Sequence, residues 1–164
     1  MKKLAVKEKQ QGFTLIELMI AVAIIGVLAT VALLQFGAIQ MKAYNAAAQS
    51  DVKNVSMVIN SFYDAASLYP NAVSGSGPGT LTLTNGTLTM NANISDGIDV
   101  SLEVTSPSTA QRCMLAKHRA GDAIVYTNTR FTNVITHTAT PADQGVSLSA
   151  ASALASARAA ACSI

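Results

Sequence analysis

Between Phe13 and Leu34 the chain runs for 22 residues with a single charge, Glu17. No soluble domain exposes such a stretch, and about 20 apolar residues in helical form span a bilayer core. The acid does not forbid insertion. Thirteen of these residues are Leu, Ile, Val or Phe. At roughly −0.3 to −0.6 kcal/mol each they outweigh one carboxylate, which costs at most about 3.5 kcal/mol at a helix centre. Glu17 also lies near one end of the run, where the cost is smaller. Orientation follows from the flank. Lys2, Lys3, Lys7 and Lys9 precede the run against one acid, Glu8, and basic residues stay on the cytoplasmic side. Beyond Gly12 there are seven Lys or Arg and eight Asp or Glu. The overall charge of +2 therefore belongs to the leader and does not point to nucleic acid.

Three readings of this segment compete. A removable secretory signal has the same basic and apolar regions, but cleavage follows the apolar core at small residues. Ala46, Ala47 and Ala48 fit that poorly, lying more than ten residues past Leu34. A plain anchor explains the apolar run but not an acid inside it. The third reading rests on the run GFTLIELMIAVAIIGVLA, Gly12 to Ala29, which resembles the signature of type IV pilins and pseudopilins.

That resemblance implies a specific chemistry. A dedicated peptidase cuts after Gly12 on the cytoplasmic side, the apolar helix stays on the mature protein, and the new N-terminal residue, Phe13, is N-methylated. A glycine before the cut lets an extended backbone enter a protease cleft without a side-chain clash. Glu17 matches the family's signature acid, whose implied partner is the amino group of a neighbouring subunit's first residue, here Phe13. A carboxylate in an apolar setting is costly unless paired, and a buried polar pair can set register during assembly. The competing reading is that Glu17 merely snorkels to the interface.

Helical periodicity continues past the apolar run. Met41, Tyr44, Ala48, Val52, Val55, Ile59, Phe62 and Ala66 recur at steps of three and four, which is one stripe of an amphipathic helix. Lys42, Asn45, Gln49, Lys53 and Asn60 occupy other faces. The pattern ends at Tyr69-Pro70, where proline restricts its predecessor. A helix from Phe13 to Ser67 would be roughly 80 Å long at 1.5 Å per residue. Gly26 and Gly37 each weaken it by about 1 kcal/mol relative to alanine. Pilins commonly carry a glycine and a proline here and can unwind in the filament. Gly26 matches, no proline does, and unwinding between Gly26 and Gly37 is an expectation of the resemblance.

Past Pro70, the segment Asn71 to Thr80 reads as a loop. Leu81 to Met90 alternates around Asn85-Gly86, the signal of a two-residue hairpin turn. Such a turn would set Thr84 opposite Thr87, Leu83 opposite Leu88 and Leu81 opposite Met90. Ile98 to Thr105 alternates as well, and further strands are expected at Asp122 to Thr127 and Arg130 to Thr136. The expected fold is α+β: a long N-terminal helix packed on a C-terminal antiparallel sheet, in two layers, as in pilins. The expected segments are a cleaved leader (1–12), an apolar transmembrane and polymerisation helix (13–34), an amphipathic second half (35–69) and a C-terminal β-sheet domain (70–164).

Cys113 and Cys162 are the only cysteines. An even count in an exported domain suggests one disulfide, with two buried free thiols as the alternative. The resemblance implies a C-terminal loop held by Cys162 to Cys113. His118 and His137 have no metal-like spacing, and no nucleophile elbow or phosphate loop occurs, so neither catalysis, cofactor nor metal is expected. Arg112, Lys117, His118 and Arg119 form a small basic group, read as solvated surface rather than a nucleic-acid site for want of interleaved aromatics. Helix aromatics such as Phe36, Tyr44 and Tyr63 read as packing rather than an electron path. The resemblance implies a structural subunit of a type IV pilus, with copies of itself, a prepilin peptidase, an inner-membrane platform and its cytoplasmic ATPase as partners. It would wait as prepilin in the inner membrane and end in an extracellular filament. A type II secretion pseudopilin shares the same N-terminus, and a minor pilin acting as tip adhesin or DNA binder is the remaining alternative.

Overall fold

The computed structural model describes residues 12–106, 111–127, 131, 133–151 and 153–162. Residues 1–11, which belong to the expected leader, and Arg130, where the last expected strand began, lie outside them. The chain divides into two units, residues 1–38 and 39–164. Helix α1, Leu15–Ala66, contributes to both.

In the first unit, none of the α1 side chains described is buried. Of the 19 large apolar side chains that stand exposed among the described residues, 15 lie between Phe13 and Ile39. An 18-residue window of this helix has a mean hydropathy of 2.6 and no buried residue.

In the second unit the expected stripe becomes the core. Ala48, Val52, Val55, Ile59 and Phe62 are completely buried, while Met41, Tyr44 and Ala66 are half-buried. The stripe packs on one face of a five-stranded antiparallel sheet. Its strands are β1 (Val73–Ser76), β4 (Ile98–Ser106), β5 (Gln111–His118), β6 (Val125–Thr127) and β7 (Val134–Thr136), in the spatial order β1-β4-β5-β6-β7. A separate hairpin, β2 (Gly79–Thr84) and β3 (Thr89–Ile94), supplies Leu81, Leu83, Ala92 and Ile94 to the same core. Ile98, Val100 and Leu102 point into it together, as their alternation predicts.

The polar residues beside the stripe have work of their own. Asn45 Nδ2 donates to Asp122 Oδ1 at 2.8 Å, and its Oδ1 accepts from the Ala123 amide at 3.3 Å. A Cβ on Gly121 would stand 2.6 Å from that same Oδ1, so the close approach requires glycine. Asp51, nearly buried, accepts from both the amide and hydroxyl of Ser95 at 2.7 and 2.9 Å. These bonds set where along the helix the sheet seats, which apolar contact alone leaves loose.

Four expectations need correction. The Asn85-Gly86 turn is wider than two residues: Thr84 pairs with Thr89, Leu83 with Met90 and Leu81 with Ala92. Asn85 Oδ1 accepts from the amides of Thr87 and Leu88 at 3.1 and 3.0 Å and so closes a four-residue turn. The shift is an even number of residues, so the apolar face survives it. The segment read as one loop from Asn71 to Thr80 contains edge strand β1 and the start of β2. Third, Cys162 sits at the end of a helix, α2 (Leu154–Cys162), and not in a loop. Finally, the layout has three layers where two were expected. Leu148, Ala151, Ala157 and Ala161 of the C-terminal segment cover Cys113, Leu115, Ile124 and Tyr126 on the sheet's other face.

This third layer is built largely of alanines, which bury little area each. Polar and covalent pins compensate. Cys113 and Cys162 are joined in a disulfide. Lys117, completely buried, donates to the carbonyls of His118, Gly121 and Val146 at 3.0, 2.8 and 3.0 Å. Asp143 accepts from the Ala153 amide at 3.2 Å.

Two measurements check this account. Replacing both cysteines by serine frees a loop of 49 residues and should lower unfolding free energy by about 4 kcal/mol in the chain-entropy model, read by denaturant titration. The second concerns His118, whose ring stacks on Tyr44 at 4.4 Å and whose Nδ1 accepts from the Ala120 amide at 3.1 Å. Burial, and then the Lys117 charge, push its pKa below the usual 6.5, against Asp96 and Asp51. The unfolded chain therefore binds more protons than the folded one in this range. This contribution to stability is complete above about pH 6.5 and declines as pH falls below it. His118→Phe should flatten that decline in denaturation curves taken across the range.

Candidate functional site: the N-terminal processing and assembly motif

The motif lies at the start of α1. Gly12 and Phe13 are non-helical and exposed, Phe13 to 90%. A Cβ on Gly12 would meet nothing within 4 Å, so its neighbours in the single chain do not require a glycine there.

The helix begins abruptly because Thr14 and Glu17 cap it reciprocally. The Thr14 hydroxyl accepts from the Glu17 amide at 3.3 Å, while Glu17 Oε2 accepts from the Thr14 amide at 2.9 Å and the Thr14 hydroxyl at 2.8 Å. This is a capping box, which satisfies two otherwise orphaned helix donors. Sequence reasoning missed it, although Thr-x-x-Glu ahead of an apolar run is its signal. Within the single chain the Glu17 carboxylate is held by the Thr14 amide and hydroxyl. The cap leaves Gly12 and Phe13 outside the helix.

Further along, α1 is helical through both Gly26 and Gly37. The Thr30 hydroxyl donates back to the Gly26 carbonyl at 2.9 Å, competing with the ladder at the point where glycine already weakens it. That hydroxyl is a second signal the sequence reading passed over.

The other tempting residues are engaged internally. Arg112 lies over the Tyr69 ring, 5.0 Å from its centre, Lys117 is caged by carbonyls, and Arg119 pairs with Asp99 at 2.9 Å. They do not combine into one basic surface. Tyr63 stacks on Tyr69 at 4.5 Å, and Tyr69 meets Phe131 at 5.7 Å, closing the end of the helical core. Among the described residues one cluster offers three metal-ligand atoms, Glu103 with Cys113 and Cys162. Its sulfurs are bonded to each other and its carboxylate is paired with Arg158.

The cap is separable from charge. Glu17→Gln should preserve the helix start, since glutamine also serves in a capping box, whereas Thr14→Val should fray the first turn. Amide chemical shifts of Leu15 to Leu18 in micelles would distinguish the two variants.

A family model described as the prokaryotic N-terminal methylation motif matches residues 7–33. No curated protein and no solved structure is found to match the chain. The matched residues hold Gly12, Phe13, the capping box and most of the apolar helix, and with that helix they describe a membrane-anchored precursor. The chain thus carries the prepilin signature of type IV pilins and pseudopilins.

Proposed function

We propose that this chain is the major structural subunit of a type IV pilus. The observation that carries the reading is the uncovered helix behind a processing motif. Fully covering one Leu, Ile or Val side chain is worth about 1.5–3 kcal/mol, and 15 large apolar side chains between Phe13 and Ile39 stand exposed. Water cannot be their resting environment. Lipid covers them in the precursor, and the same helix from other subunits covers them in the polymer.

In this reading the peptidase cuts after Gly12, Phe13 becomes the methylated N-terminus, and Glu17 of one subunit pairs with the amino group of Phe13 in its neighbour. The capping box prepares that step by holding the carboxylate at the helix start through Oε2. Gly26, Thr30 and Gly37 are where α1 would give when subunits pack. The C-terminal domain, residues 70–164, faces outward. The platform and ATPase supply the work of extraction from the membrane. A pseudopilin of type II secretion would use the same N-terminus, and loss of enzyme secretion on deletion, without loss of surface filaments, would decide for it.

The central test uses two substitutions. Glu17→Ala should insert in the membrane normally yet form few or no filaments, scored by membrane fractionation and electron microscopy. Glu17→Gln, which retains the cap but not the charge, should fail likewise. Normal filaments from the Gln variant would show that Glu17 matters as a cap and not as a partner of Phe13.

A further inference from the structure

A cleft of about 450 Å³ opens on the face of the sheet turned away from the α1 stripe, between edge strand β1 and the C-terminal layer. A cavity of this size falls in the range of small-molecule sites. Its floor is strand β4, whose outward side chains are Asp99, Ser101 and Glu103. Two arginines from separate elements close over the acids. Arg119 places Nε and Nη2 on Asp99 Oδ1 at 3.2 and 2.9 Å. Arg158, from α2, places Nε and Nη2 on Glu103 Oε1 at 2.8 and 2.6 Å. Asp99 is fixed further by the Leu148 amide on Oδ2 at 3.0 Å.

The acids and arginines differ in exposure. The two carboxylates are 9% and 21% exposed, the arginines 48% and 49%. Acids form the floor and guanidinium groups the rim. The pairings engage Nε and Nη2, and a guanidinium carries five N–H donors in all. Five of the lining residues are serines, with Ser74 and Ser149 exposed at the mouth, and Leu154 adds an apolar patch.

These features select a ligand class. Charge inside the cleft is matched, two cations against two anions, so neither an anion nor a cation is favoured. Serine hydroxyls donate and accept alike, the paired arginines donate, and the carboxylates accept. Their positions are held by ion pairs before any ligand arrives, which lowers the ordering cost of binding. The matching ligand is neutral, compact and rich in hydroxyls, with carbon–hydrogen faces for the leucine. We infer that this cleft is a binding site for a neutral saccharide of one or two rings.

The test is saturation-transfer NMR on the purified full chain in phosphocholine micelles, which carry no sugar headgroup. Lactose and cellobiose are the neutral probes, sialyllactose the anionic one. Transfer to at least one neutral disaccharide is expected, with weaker transfer to sialyllactose. Ser74→Trp and Ser149→Trp fill the mouth without touching either ion pair, and each should weaken binding about tenfold or more, a loss of about 1.4 kcal/mol. Circular dichroism and an intact disulfide would establish that the variants fold. No transfer to either neutral disaccharide, equal transfer in both folded tryptophan variants, or a preference for sialyllactose would each overturn the assignment.

Discussion

Everything in this protein turns on a helix that cannot be satisfied by its own chain. Among the described residues, 15 large apolar side chains between Phe13 and Ile39 have no cover, and the hydrophobic effect demands that something else supply it. A helix is the one local structure that can carry such a surface into lipid, because its backbone groups are paired within the segment. The weak point is the first turn, where amide donors lack partners. Thr14 and Glu17 solve that locally, so a residue that looks like an isolated buried charge is a half-satisfied one. An acid already held by two bonds is less costly to carry into lipid than a free carboxylate.

The second unit solves a different problem with the same helix. Its stripe from Ala48 to Phe62 is covered by a sheet, and polar residues at the stripe's margins fix the seating. Asn45 and Asp51 each bind backbone amides far along the chain, turning a slippery apolar contact into a unique one. On the sheet's far side the alanine-rich C-terminal layer has little area to contribute. It relies on the disulfide, on Lys117 among its carbonyls, and on Asp99 and Glu103 gripping Leu148 and Arg158. Those grips also create the cleft beside β1, so its polarity follows from how the layer is attached.

Legibility in the sequence tracked periodicity. The helix was readable to within two residues at either end because its stripe repeats at 3.6 and a proline follows. Ile98 to Leu102 alternates because β4 has one apolar and one polar face. Strand β5 was missed for the opposite reason. Cys113 to Lys117 is buried without interruption, covered by α1's core on one side and α2 on the other, and a strand hidden on both faces shows no alternation. Strand β1, Val-Ser-Gly-Ser, has almost no strand propensity and exists because β4 pairs with it. The short helix α2 did carry a signal in its alanines, which the expectation of a loop obscured.

The sequence by itself determined the N-terminal methylation motif, the apolar helix, its amphipathic continuation and the α+β class. Each of these is local: a spacing, a run or a period read from neighbouring residues. Only the tertiary structure decided the three-layer arrangement, the internal engagement of Arg112, Lys117 and Arg119, and the cleft between Asp99, Glu103 and the arginines over them. The ion pairs join residues 20 and 55 positions apart and Lys117 reaches Val146 29 positions on, and no local pattern specifies which distant partner a charge will find.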